Sequence, residues 1–246
     1  MNSKLLVVLA TAAILPFNAI AKDNSHSEGH NSVSDEVIAG QRMELAEETK
    51  GEGFGPQSPR DIDSMAGKNP VVFNEAPLST AMNLCNIHFH KNAEHKGGEF
   101  TEFAGNGDGH GFLTGYKYSG KLTKAELSPT KHEACPSKHG AVLSGDTIEV
   151  HYVYTTADIE PGKGLGSCFS DAIKNPQLRV ETQVYVAVND KNAADFAILT
   201  HHEEINGVHQ AINIPSNTGK PVQYLGSTTG PDYNEEGSPY QVTWSV

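Results

Sequence analysis

Residues 84–98 read "LCNIHFHKNAEHKGG". From Leu84 to Lys91 apolar and polar side chains largely alternate, the mark of a half-buried strand. Residues two apart on a strand share a face. Asn86, His88 and His90 therefore project together, while Ile87 and Phe89 point the other way into an apolar layer. Two imidazoles whose Cα atoms lie about 7 Å apart converge on one ion, which makes the polar face of this strand a candidate metal site.

Further runs rich in Val, Ile, Tyr and Thr follow the same habit: "PVVFN", "GFLTGYKYS", "DTIEVHYVYTT", "LRVETQVYVAVND", "GVHQAINIP", "PVQYLGS" and "YQVTWSV". Gly, Pro, Asn and Asp punctuate them. Two short helices are expected, one over "DEVIAGQRMELAEE" after Ser34 and one in "NAADFAILTHHEE". The class is mainly β in a single domain. The Gly-rich stretch "GNGDGHGFLTG" (105–115) precedes strand-like residues rather than a helix, so it reads as a loop, not a nucleotide cradle.

In "DTIEVHYVYTT", His151 sits mid-strand and shares its face with Glu149. A ligating histidine has its second ring nitrogen fixed by a carboxylate or carbonyl. Glu149 is placed to do this for His151, and Asn86 for His88. Catalytic zinc takes three protein ligands and leaves a fourth position open, a set that His88, His90 and His151 complete if their strands face each other.

The chain opens "MNSKLLVVLATAAILPFNAIA". One Lys, a short apolar run and a small-x-small site read as a secretory leader over residues 1–21. Residues 22–50 read as a polar tail and short helix, and 51–246 as the catalytic domain. No segment has about 18 consecutive apolar residues, so no membrane span is expected. The formal net charge is −12, which argues against nucleic acid or an anionic membrane as partner. The expected location is periplasmic or secreted. An exported chain with three cysteines forms one disulfide and leaves one thiol. Cys135 and Cys168, both in loop-like sequence, are the expected pair, with Cys85 a buried thiol on its strand, although the spacing leaves all three pairings open.

Two family patterns lie over these residues. "HFHKNAE" satisfies the H-x-H-x3-E spacing of the cupin metal oxygenases and isomerases, and "SGDTIEVH" partly resembles their second motif. The other covers more of the chain. "GPQSPRDID" (55–63), "NIHFHKNAEH", "IEVHYVY" and "QYLGSTTGPDYNEEGSPYQVTW" resemble, in order, four blocks of the α-type carbonic anhydrases. The long Gly-rich insertion between His95 and His151 places the resemblance nearest the δ class.

That resemblance implies a twisted, mostly antiparallel sheet with short peripheral helices. It implies one Zn2+ per chain on His88, His90 and His151, whose bound hydroxide attacks CO2 to give bicarbonate and a proton. Anions and sulfonamides are the inhibitors it implies. Thr229 would orient the hydroxide and direct its own proton to Glu94, with Thr228 the alternative in a gapped alignment. Val153 would line the CO2 pocket, and His95 would be a structural neighbour. His110, His201 and His202 are candidate proton shuttles, His110 first. The resemblance leaves a non-catalytic metal-binding relative as another reading and the oligomeric state open, a homodimer included.

Overall fold

The two strands that carry the histidines lie side by side. In this computed structural model, which describes residues 32–51, 61–62, 74–138, 140–227 and 240–246, the chain begins with helix α1 (Asp35–Glu48). Five strands follow: β1 (Asn83–Lys91), β2 (Phe100–Phe103), β3 (Tyr116–Tyr118), β4 (Ala134–Ser137) and β5 (Gly140–Val142). Then come β6 (Thr147–Thr155), β7 (Leu178–Val186), the four-residue helix α2 (Phe196–Leu199), β8 (His202–Ile205), β9 (Val208–Ala211), β10 (Gln223–Ser227) and β11 (Gln241–Ser245). The expected leader, the strand-like run over 70–73, most of the 55–63 block, and Thr228 and Thr229 lie outside the described residues.

One five-stranded sheet, ordered β1-β6-β7-β11-β10, organises the domain. Every neighbouring pair is antiparallel except β7 and β11. It is the mainly β, mostly antiparallel twisted sheet expected, and it is not closed into a barrel. Its strands are covered on both faces. One face buries Leu84, Ile148, Val150, Tyr152, Tyr154 and Tyr185. The opposite face buries Cys85, Val153, Leu178, Val180, Val242 and Trp244. Strand β6 is buried at all nine positions, so its alternation separates two internal layers rather than core from solvent.

Strand β1 contains a bulge. Leu84 pairs with Tyr154 and Asn86 with Val153, which leaves Cys85 as an extra residue. A bulge places two residues opposite one, and here Cys85 joins Asn86 on the histidine side. Regular alternation would have sent Cys85 to the side of Ile87. The bulge overturns the expected disulfide: Cys85, not Cys135, is bonded to Cys168. Cys168 ends a 3-10 turn, Leu165–Cys168, that packs on this face. Cys135 sits on the separate β4–β5 ribbon as an exposed thiol. Loop-like sequence around two cysteines carried no information about which strand lay beneath them.

The helix expected in 192–204 is shorter than its pattern. After α2 the chain turns into the β8–β9 hairpin, whose Asn206-Gly207 both have positive φ, 54° and 82°. This is the residue pair that a two-residue hairpin turn favours. At the other end of the chain, α1 buries Ile38, Gln41 and Leu45, spaced three and four apart. The segment before it and its first residue dock on the Gly-rich loop, through Val33 N–H to the Gly107 carbonyl at 3.0 Å and Asn106 Nδ2 to Asp35 Oδ1 at 2.8 Å. Gly107 is required there: a Cβ would lie 1.9 Å from the Phe112 carbonyl oxygen. Among the described residues no helix is long and apolar enough to cross a membrane.

Candidate metal centre

The β1–β6 register sets His88 directly opposite His151, and His90 opposite Glu149. The ring centroids of His88, His90 and His151 are 5.0–5.1 Å apart in all three pairs. One nitrogen from each falls within 4.8 Å of the others. The sheet thus brings together the three histidines that the sequence singled out, two from one strand and one from its neighbour.

Hydrogen bonding fixes which nitrogen faces inward. Asn86 Nδ2 donates to the Gly162 carbonyl at 2.9 Å, which leaves Asn86 Oδ1 to accept from His88 Nδ1 at 2.6 Å. On the other strand, Glu149 Oε1 accepts from His151 Nε2 at 2.8 Å. The remaining nitrogens, His88 Nε2 and His151 Nδ1, point at each other 3.3 Å apart. In these tautomers both are acceptors with no proton between them. Two lone pairs so placed repel unless a cation lies between them, and neutral imidazole nitrogens are what a transition metal takes. The donor set therefore fits a metal ion. Burial, followed by the nearby His151 and His90, pushes the His88 imidazole down to about 3, so it is neutral at pH 7.

Glu149 is fully buried and has a second partner, His95, which the resemblance made only a structural neighbour. His95 Nδ1 lies 2.7 Å from the same Oε1, and the His95 backbone N–H donates to Oε2 at 3.1 Å. His95 Nε2 in turn meets the Tyr224 hydroxyl. Burial alone would raise the Glu149 carboxyl. The His95 charge and the hydrogen bonds from His151 and His95 outweigh it and hold the group well below the usual carboxylate range. His95 is thus more than a neighbour: with Glu149 it forms the support behind His151. The signal available in sequence was only that both residues flank candidate ligands.

Glu94 is 3% exposed, and its Oε1 lies 3.1 Å from His90 Nε2. A cavity of about 80 Å³ opens beside the cluster, lined by the three histidines and Glu94. Its other walls are apolar, among them Val153, Leu165, Val180 and Trp244. The Cys85–Cys168 bond ties the turn carrying Leu165 to β1 at the edge of this cavity. His110 is not part of its lining. It lies in an exposed turn, where its backbone N–H donates to Asp108 Oδ1 at 2.8 Å. The cupin pattern loses its structural footing, because the sheet is open and not closed into a barrel.

No curated protein and no solved structure matches the chain significantly. A family model described as delta carbonic anhydrase matches residues 79–246. That span holds both histidine strands and the disulfide, and covers well over half the sequence. This chain belongs to the delta carbonic anhydrase family.

Proposed function

We propose that this protein catalyses the reversible hydration of CO2 to bicarbonate and a proton, with His88, His90 and His151 holding one Zn2+. The observation that carries the reading is the 3.3 Å approach of His88 Nε2 and His151 Nδ1, each backed by a hydrogen bond to its other ring nitrogen. Tetrahedral zinc with bonds of about 2.0–2.1 Å sets ligand nitrogens about 3.3–3.4 Å apart. Bound there, zinc would supply a Lewis-acidic position that makes a coordinated water ionisable near neutral pH.

The chain's own groups do the rest. Asn86 and Glu149 hold the ligating rings in one tautomer and orientation. Val153, Leu165, Val180 and Trp244 offer an apolar, close-walled space, suited to a substrate that carries no charge. Thr229, outside the described residues, is assigned to orient the reacting water, with its hydroxyl proton directed to a carboxylate oxygen of Glu94. This is a positioning effect. The disulfide fits an oxidising compartment, so the protein is proposed to work in the periplasm or outside the cell.

Metal analysis of the purified protein together with a CO2 hydration assay tests the reading. Zinc near one per chain and anion- or sulfonamide-sensitive hydration are expected. Tight iron or manganese with no hydration would overturn it, and zinc without hydration would leave a non-catalytic metal-binding relative.

A further inference from the structure

Helix α1 (Asp35–Glu48) ends well before residue 79, where the family span begins. It nevertheless docks inside that span, at the tip of the Gly-rich loop, and Asn106 is the hub of the contact. Asn106 Nδ2 donates to the Val33 carbonyl at 3.0 Å and to Asp35 Oδ1 at 2.8 Å, and its backbone N–H donates to Ser32 Oγ at 3.0 Å. Val33 N–H donates in turn to the Gly107 carbonyl at 3.0 Å. A Gly-rich loop loses much backbone entropy when it is ordered, so these bonds bear directly on where it sits.

The base of the same loop holds the segment that carries Glu94. Ala93 N–H donates to the Tyr116 carbonyl and Tyr116 N–H to the Ala93 carbonyl, both at 2.8 Å. Gly115 has φ 103°, and a Cβ there would lie 2.3 Å from the Ala93 carbonyl oxygen, so the two segments pass at a distance that glycine alone permits. Asn92 lies in the left-handed region at φ 65°, which asparagine tolerates. Its Nδ2 donates to the Thr114 carbonyl at 3.1 Å and its N–H to the Thr147 carbonyl at 2.8 Å. The chain thus leaves β1 at Asn92 against the loop, and Glu94 follows two residues on. A cavity of about 330 Å³ has Asp35, Ile38 and Arg42 of α1 and Glu94 among its walls.

We infer that helix α1 is a brace for Glu94. Through Asn106 the helix fixes the Gly-rich loop, and through Asn92 and the Ala93–Tyr116 bonds the loop fixes the segment that aims the carboxylate. The inference rests on the function proposed above, in which Glu94 aligns the hydroxyl that orients the reacting water. Asn106 and Asn92 are positioning residues, and neither lines the histidine cavity. A displacement of about 1 Å caused far from the chemistry costs on the order of 100-fold in rate, so a contact on the far side of the loop is felt at the site.

The test is Asn106→Ala in the full chain loaded with zinc. The expected result is a fall of about 10–100-fold in kcat/KM for hydration with zinc content unchanged. Asn106→Gln, which keeps an amide donor, should recover part of the loss. In a Glu94→Gln background the same Asn106→Ala change should cost nothing further, because residues that act through one another are non-additive. A readout independent of turnover is amide hydrogen exchange, which should be faster at Ala93 and Tyr116 in Asn106→Ala than in the wild type. Asn213→Ala, which removes an amide bond to the Ile198 carbonyl away from the brace, should change none of these. Unchanged exchange at both amides, unchanged kcat/KM, or an equal loss in both backgrounds would overturn the brace while leaving the proposed activity standing. Absence of hydration in the wild type would remove that activity, and exchange at Ala93 and Tyr116 would still decide whether the helix holds this segment.

Discussion

His88 and His151 stand directly opposite each other across the β1–β6 ladder, with Nε2 and Nδ1 3.3 Å apart. Neither nitrogen can donate to the other while Asn86 and Glu149 hold the opposite sides of the rings. The pair is therefore preorganised for a cation and strained without one, and the residues behind it should govern affinity as much as the ligands do.

Replacing Glu149 by Gln removes the charge that holds both His151 and His95. Zinc affinity is expected to fall about 10–100-fold, measured by competition with a chromophoric chelator. Asn86→Ala should act in the same direction through His88. His151→Ala should abolish stoichiometric zinc and activity together; full metal retention in that variant would remove His151 from the ligand set.

The metal-free protein should lose stability as pH falls below neutral. The His88 imidazole protonates near its ordinary value in the unfolded chain but only near about 3 in the folded one. Between those values the unfolded chain binds more protons, so stability rises with pH. Thermal melts of the apoprotein from pH 7 down to pH 4 should show a falling Tm, and His88→Gln should flatten that slope. A flat wild-type profile would contradict the buried, neutral ring.

The Cys85–Cys168 bond closes a loop with a sequence separation of 83. On the chain-entropy account such a loop contributes about 4–5 kcal/mol. Cys168→Ser should therefore lower the denaturation midpoint sharply, while Cys135→Ser should not. Without reductant, thiol titration of the folded protein should find one reactive group per chain, and it should vanish in Cys135→Ser.

Val153 lines the cavity beside the histidines. Val153→Phe should fill much of that space and lower kcat/KM for hydration by about 10–200-fold with zinc content unchanged. Equal activity in the variant would move the CO2 site elsewhere.

Strands β1 and β6 were legible because each alternates polar ligands with bulky apolar residues, and their partners Asn86 and Glu149 followed from the same two-residue step. The helix over 35–48 was legible from Ser34 and the acidic residues that follow it. Less was visible where tertiary context decides. The β2–β3, β4–β5 and β8–β9 ribbons are three or four residues per strand, too short for a period to declare itself. The Asn206-Gly207 turn was in plain sight but lay just beyond a helix-like run. His95 depends on a contact 54 residues away with Glu149, and Cys85 on a bulge that no period-two pattern contains.

That bulge has a consequence for how the crosslink relates to the site. Delete Cys85 on paper, and Leu84 and Asn86 become adjacent, facing opposite sides as ordinary pleating requires. Leu84 keeps Tyr154, Asn86 keeps Val153, and His88 keeps His151. Cys85 is in effect a one-residue insert that carries a covalent tether and leaves the phase of the strand on either side unaltered. A chain shortened by that single residue would lose the tether yet retain the geometry that gathers the three imidazoles, so toughness and metal chemistry can be varied separately along one strand.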